Sequence, residues 1–163
     1  MKTLVLVRHA KSDWSYDLPD FDRPLNKRGL RDAPRMGKLL REYDFQPDIM
    51  LTSSANRART TAHLVARELG FGGAIQEERS IYDEGHGNLI GLVQEFPQAA
   101  ETAMVFGHNP TMEYAVAYLL QMRAAVTMPT CAMACLESPV NDWSRLSPAL
   151  MRLKWLLIPR LIR

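Results

Sequence analysis

Two histidines and two arginines follow three short apolar runs of the sequence, and their chemistry suits phosphate. Arg8 and His9 end the first run, Arg57 comes within a helical turn of the second, and the third leads into His108. If the runs are parallel strands, their carboxyl ends meet at one edge of a sheet. Guanidinium groups bind phosphate oxygens bidentately and keep their charge at any working pH. The pattern predicts a pocket that binds a dianion.

Apolar runs alternate with amphipathic segments along the chain, which is typical of an α/β domain. The predicted strands are residues 3–8, 48–52, 74–78, 103–106, 132–136 and 153–158, and the predicted helices are 27–43, 55–69, 88–95 and one that opens at 109–110. Residues 4–7 of the first run are apolar without interruption, so we expect a strand buried on both faces. We predict a three-layer α/β/α sandwich around a mostly parallel sheet, with residues 1–163 forming a single domain.

Capping residues mark where the predicted helices begin and end. Asn26 and Ser54 are expected N-caps, and Gly70 is expected to end the second helix. Asn109 is expected to cap the helix that opens at residues 109–110, with the proline after it as the first helical residue. Pro34 lies inside the first predicted helix and conflicts with it locally, because proline removes one helical hydrogen bond.

Composition narrows the class of protein. The 20 Lys and Arg against 18 Asp and Glu give a net charge of +2, which is too small to favour nucleic acid or membrane binding by bulk attraction. No stretch approaches the roughly 20 apolar residues of a membrane helix, and the first residues lead directly into a strand rather than a secretory signal. The expectation is a cytoplasmic protein that binds neither nucleic acid nor membrane.

The two cysteines, Cys131 and Cys135, lie in an apolar run at a spacing that fits no familiar zinc pattern. We expect them to be small buried hydrophobic residues on one face of a strand. No other part of the sequence suggests a metal site, so we predict neither a metal nor a cofactor.

Four segments in a fixed order carry a family resemblance: LVRHAKSDW, DRPLN, SSANRARTTA and FGHNP. Together they resemble the histidine phosphatase superfamily, whose fold is phosphoglycerate mutase-like. The RHAKS variant, the RPL segment, the chain length and the closing KWLLIPRLIR are similar to its small bacterial SixA-type branch, the phosphohistidine phosphatases. The resemblance covers essentially the whole chain.

The resemblance implies a role for each candidate residue. His9 would attack phosphorus in line and form a phosphohistidine intermediate that water hydrolyses, with no metal. Arg8, Arg57 and His108 would hold the phosphoryl oxygens. Arg23 would match a further phosphate-facing arginine of the SixA-type branch, with a local salt bridge to a nearby aspartate as the alternative.

The proton donor is the least defined role. Most superfamily members use a carboxylate, in many relatives a glutamate in the loop after the short third strand, and Glu84 is the prediction here. Asp83 comes next and His86 third. The SixA-type branch departs from that pattern, and a phosphohistidine leaves as an imidazole, which needs less proton donation than an alkoxide.

Several functions remain open from the sequence. The leading one is dephosphorylation of phosphohistidine in a protein partner, such as a histidine phosphotransfer domain. A small-molecule phosphomonoesterase and a non-catalytic phospho-residue binding module are the alternatives. The short chain leaves little sequence for a lid, which favours a protein side chain over an enclosed metabolite and disfavours a mutase. The sequence does not predict an oligomeric state.

Overall fold

Six strands form one mixed sheet in the computed structural model, which describes residues 1–124 and 126–162. The strands are β1 (Lys2–Arg8), β2 (Ile49–Ser53), β3 (Ile75–Glu78), β4 (Thr102–Gly107), β5 (Met133–Ser138) and β6 (Arg152–Leu157), in the order β3-β2-β4-β1-β5-β6. The pairs β1–β4, β2–β4 and β2–β3 are parallel, and β5 is antiparallel to both of its neighbours. The sheet is therefore mostly parallel, as predicted.

Helices cover both faces of the sheet. They are α1 (Lys27–Glu42), α2 (Asn56–Leu69), α3 (Ser80–Asp83), α4 (His86–Gln94) and α5 (Thr111–Leu119). Alternate residues of β1 belong to different cores, since Val5 and Val7 pack with residues of α1 and α2, and Leu4 and Leu6 pack with residues of α4 and α5. A strand buried on both faces requires a uniformly apolar sequence. The predicted three-layer α/β/α sandwich is confirmed.

The start of α1 is set by a cap and by a close approach to the chain after β1. The Asn26 side chain accepts a hydrogen bond from the Gly29 backbone N–H at 2.9 Å, as predicted. A Cβ at Gly29 would lie 2.3 Å from the backbone oxygen of Lys11, so only glycine lets α1 pack there. The helix continues through Pro34 without a break. Leu30 is exposed, although its spacing from the buried Ala33 would place it on the face of the helix that packs against the core.

Two predicted helix starts are wrong. α2 begins at Asn56 with Ala55 as its N-cap residue, and no side chain caps it. Ser54 therefore does not cap the helix, and the Ala55 N–H donates to the Oγ of Ser53 at 3.2 Å. α5 begins at Thr111, since the Asn109 side chain donates to the Met128 carbonyl at 3.0 Å and does not cap the helix. The end of α2 at Gly70, with φ of 82°, is confirmed.

Both cysteines are buried free thiols, as expected, although Cys131 lies just before β5 rather than inside it. Burial raises the pKa of each thiol to about 12, so neither is a thiolate near neutral pH. Within the described residues, no helix has the length and apolar character that crossing a membrane requires.

Candidate active site

The ends of β1, β2 and β4 bring the predicted residues together at one edge of the sheet. Arg8 is the register partner of Gly107, and the His9 backbone N–H donates to the Gly107 carbonyl at 2.9 Å. The residues that follow these two strand ends are therefore neighbours, and the ring centroids of His9 and His108 are 5.2 Å apart. Arg57 is in the first turn of α2, directly after β2.

The two nitrogens of His9 have different partners, and these partners define its tautomer. Nδ1 lies 2.7 Å from the Ala10 carbonyl oxygen, which can only accept a hydrogen bond, so Nδ1 carries the proton. Nε2 lies 3.3 Å from Nε of Arg57, which can only donate. Nε2 is therefore unprotonated, and its lone pair faces the arginine that is expected to bind phosphate. This is the protonation state that a nucleophilic imidazole needs.

His9 is held in its neutral form by its surroundings. Burial disfavours the imidazolium and outweighs the opposing effect of the hydrogen bond to the Ala10 carbonyl. Together with the electrostatic effects of the nearby His108, Arg57 and Arg8 side chains, it lowers the pKa of His9 to about 3. The side chain is only 8% exposed in spite of its polarity. An uncharged lone pair is thus available at any pH at which the substrate is a phosphoryl dianion.

His108 is a second buried neutral imidazole with one free donor position. Its Nε2 lies 2.8 Å from Oγ of Ser53, and that oxygen already accepts from Ala55. Nδ1 of His108 is buried without a partner among the described residues, and it is the protonated nitrogen when the Ser53 hydroxyl donates to Nε2. Burial, followed by the charge of Arg57, lowers the pKa of His108 to about 4. A buried unpaired donor beside the nucleophile fits an oxyanion ligand.

Arg57 and Arg23 converge on one carboxylate, that of Asp20. Nη2 of Arg57 donates to Oδ2 of Asp20 at 2.9 Å, and Nη1 of Arg57 donates to the Asp20 backbone carbonyl at 2.6 Å. Nη2 of Arg23 pairs with Oδ1 of the same carboxylate. The two guanidinium groups are thus close enough to bind a single anion together. In this structure the anion that they share is the Asp20 carboxylate.

Asp20 is held as an anion in this position. Partial burial raises its pKa, but the hydrogen bond from the Tyr82 hydroxyl at 2.9 Å and the charges of Arg57 and Arg23 outweigh that effect and lower it. Its side chain is 48% exposed, so the aspartate can leave the arginines without unfolding a core. Arg23 keeps two buried guanidinium nitrogens, Nε and Nη1, without partners in the described residues.

Arg8 completes the cationic side of the pocket. Its Nη1 donates to the Met128 carbonyl at 2.8 Å, and its Nε is buried without a partner among the described residues. Desolvation lowers the pKa of Arg8, while the charge of Glu113 acts against that change. Since an arginine remains protonated at any working pH, Arg8 supplies a fixed positive charge next to the nucleophile.

The three candidate proton donors make no side-chain hydrogen bond to this cluster in the described part of the chain. Glu84 follows α3 and is exposed. Asp83 pairs with Arg79 at 3.0 Å, and His86 packs against Tyr114 and Tyr118. The structure therefore brings Arg8, His9, Arg23, Arg57 and His108 together, whereas Glu84 stays a prediction as the proton donor.

Three contributors to the site were not predicted as site residues: Asp20, Tyr82 and Ser53. Asp20 lies in the irregular segment between β1 and α1, where periodicity gives no signal. Tyr82 lies in the four-residue α3, which is too short for a recognisable pattern. Ser53 had a usable signal, because it ends β2 at the same edge of the sheet as His9.

The mouth of the pocket carries exposed apolar side chains. The Trp14 ring lies over the guanidinium of Arg23, with the Arg23 Cζ 3.3 Å from the ring centroid. Trp14 is nevertheless 71% exposed. Tyr16 and Leu18, in the same segment, are also exposed. No group of three or more His, Cys, Asp or Glu side chains arranged to hold a metal ion occurs among residues 1–124 and 126–162.

Comparison with known proteins identifies the family. The sequence profile of the histidine phosphatase superfamily (branch 1) matches residues 4–114. An uncharacterised chloroplastic protein of Arabidopsis thaliana is 30% identical over 152 residues, which are 87% of this chain and 69% of that protein. An uncharacterised protein of Mycobacterium tuberculosis is 29% identical over 164 residues, covering 94% of this chain and 100% of that protein.

Solved structures agree with this assignment. The candidate phosphohistidine phosphatase SixA of Agrobacterium tumefaciens has a TM-score of 0.81 and 27% identity, with 97% of this chain and 98% of that chain covered. The protein histidine phosphatase SixA in complex with tungstate shares the fold, with a TM-score of 0.81, 20% identity and 99% of each chain covered. The chain is a phosphatase that belongs to the histidine phosphatase superfamily.

Proposed function

We propose that the protein removes phosphoryl groups from phosphohistidine in partner proteins, without a metal and through a phosphohistidine intermediate on His9. The observation that carries the proposal is the state of the His9 ring, whose Nδ1 proton is held by the Ala10 carbonyl and whose Nε2 lone pair faces Arg57. Arg8, Arg57 and Arg23 are the charges that would hold the phosphoryl oxygens, and the free N–H of His108 would add one donor.

The reaction has two displacement steps. In the first, Nε2 of His9 attacks phosphorus, the P–N bond of the substrate breaks, and the leaving imidazole takes a proton from solvent or from a nearby acid. In the second, water attacks the phosphorylated His9, inorganic phosphate leaves, and the lone pair of Nε2 is restored. Arginines stabilise the charge that develops on the equatorial oxygens in both steps. No redox cofactor is needed for this balance.

Two features favour a protein substrate. The first is the likeness to SixA proteins, and the second is the exposed Trp14 ring, which lies over the guanidinium of Arg23. Tyr16 and Leu18 in the same segment are also exposed, and aromatic side chains are enriched in protein–protein interfaces. A leaving imidazole also suits a site in which Glu84, the predicted acid, does not contact the nucleophile.

The test is a comparison of substrates. We expect kcat/KM for a phosphohistidine-containing protein to exceed that for sugar phosphates and glycerate phosphates by at least about tenfold, and EDTA treatment to leave turnover unchanged. A preference for a small phosphate ester would identify the protein as a metabolite phosphomonoesterase. Tight phosphate binding without turnover of any substrate would identify a binding module, and loss of activity with EDTA would contradict metal independence.

A further inference from the structure

A second cluster of arginines lies at the same edge of the sheet as the active site but on the side of β5 and β6. Arg28, Arg31 and Arg35 of α1 and Arg160, which follows β6, line a cavity of about 400 Å³. We call this cavity the arginine pocket. Ligand sites commonly have volumes of roughly 300–1,000 Å³, so it can hold a side chain or a small anion.

One buried carboxylate organises the arginine pocket. Asp32 is 3% exposed, and it pairs with Arg31 at 3.0 Å, with Arg28 at 3.4 Å and more distantly with Arg35 at 3.9 Å. Three guanidinium groups thus share one negative charge. Each guanidinium has five N–H donors and a carboxylate accepts about four hydrogen bonds, so most donors remain for a ligand. Arg160 makes no ion pair with any residue of the described chain.

The arginine pocket shares a wall with the active site. Pro129 and Thr130 line the pocket, and the residues on either side of them contact the catalytic strand end. Met128 accepts from the guanidinium of Arg8 at 2.8 Å, and the Cys131 N–H donates to the carbonyls of Arg8 and His9 at 3.1 and 3.0 Å. A ligand that spans this four-residue turn reaches both sites.

We infer that the arginine pocket binds acidic side chains that lie near the phosphorylated histidine of a partner protein. The inference rests on the proposed function, because it requires a protein substrate whose phosphoryl group is in the active site. Carboxylates match arginine forks bidentately, and the apolar side chains of Ile158 and Ile162 in the same pocket suit the methylenes of glutamate. Charge complementarity around the phosphohistidine would set partner preference and association rate.

The test uses two peptides, one with glutamates and one with glutamines around a central histidine, each with and without phosphorylation. Binding of the unphosphorylated peptides is measured by fluorescence anisotropy at about 50 mM and about 300 mM salt. Turnover of the phosphorylated peptides and of a small aryl phosphate is measured in parallel. We expect the wild-type protein to bind the glutamate peptide at least about fivefold more tightly at low salt, with the difference shrinking at high salt.

Arg160→Glu is the informative variant because Arg160 is exposed and outside the catalytic residues. It should abolish the preference for the glutamate peptide and leave aryl phosphate turnover unchanged. Arg67→Glu is the matched control: it makes the same charge change on an exposed residue, 66% exposed in its side chain, in the last turn of α2, at the end of that helix remote from the site. The control should keep the preference within about twofold.

The outcomes separate the two proposals. Equal binding of both peptides, or an unchanged preference in Arg160→Glu, overturns the inference that the arginine pocket binds acidic side chains. Failure to turn over either phosphohistidine peptide, with the binding preference intact, overturns the proposed function alone. If inorganic phosphate or a small bisphosphate abolishes the preference at concentrations far below those that inhibit aryl phosphate turnover, the pocket is a site for a free anion and the protein-partner inference is wrong.

Discussion

Replacing Asp20 with asparagine should tighten the binding of inorganic phosphate and vanadate. In the structure the Asp20 carboxylate pairs with the guanidinium groups of Arg57 and Arg23. An incoming dianion must therefore displace the carboxylate or bind beside its negative charge. Asparagine keeps the shape of the side chain and removes the charge. Whether the dianion displaces the Asp20 side chain or binds beside it, the variant should therefore bind the dianion more tightly.

The size of the effect follows from the exposure of the ion pairs. Exposed pairs contribute about 0.2–1 kcal/mol each, and the Asp20 side chain is 48% exposed. Two such pairs together give about 0.4–2 kcal/mol, with a middle value of about 1.2 kcal/mol, and each 1.4 kcal/mol corresponds to about tenfold in affinity. We expect phosphate to bind about sevenfold, and at least about twofold, more tightly to Asp20→Asn than to the wild-type protein.

The assay is isothermal titration with phosphate near pH 7, because it does not depend on turnover. Asp22→Asn is the matched control, since Asp22 is exposed in the same short segment and makes no side-chain ion pair in the described part of the chain. Its affinity for phosphate should stay within about twofold of the wild-type value. Equal or weaker binding of phosphate by Asp20→Asn would refute the view that this carboxylate competes for the phosphate arginines.

Two further predictions concern pH and the proton donor. Burial lowers the pKa of His9 to about 3 and that of His108 to about 4. Between about pH 6 and pH 5 the unfolded chain therefore binds protons at these histidines that the folded protein does not bind. Acidification over this range should lower the free energy of unfolding by about 1.4 kcal/mol per pH unit for each histidine. Urea unfolding of His108→Asn should show a pH slope shallower by about that amount, and an unchanged slope would contradict the buried neutral state. Glu84→Gln should lower turnover of an alkyl phosphate at least about tenfold and change phosphohistidine turnover less than about twofold, because only the alkoxide needs a strong proton donor. Equal effects on the two substrates would rule out Glu84 as the proton donor.

The sequence predicted the layers and the meeting of His9 with His108 because those features depend on strands. A uniformly apolar run such as β1 has few alternatives to a central strand, and parallel strands place their following residues at one edge. The assignment of Arg57 followed from the same reasoning, since the helix after β2 starts at that edge.

The rest of the site depends on segments without periodicity. A pairing of Arg23 with a nearby aspartate was one of two readings of the sequence, but the second contact of Asp20, with Arg57, depends on the path of the irregular segment before α1. The N-cap of α2 was predicted one residue too early because Ser54 is a preferred capping residue by type, whereas the structure uses Ala55 without a side-chain cap. The orientation of Glu84 likewise depends on the four-residue α3, which it follows directly.

The central claim is that Nε2 of His9 becomes phosphorylated during turnover, and trapping the intermediate tests it most directly. The protein is mixed with an isotopically labelled aryl phosphate, quenched in alkaline denaturant, digested and mapped by mass spectrometry. We predict label on His9 alone, no label in His9→Ala, and turnover of that variant below about a tenth of the wild-type value with its unfolding transition preserved. Label on His108, or no label during steady turnover, would contradict the account.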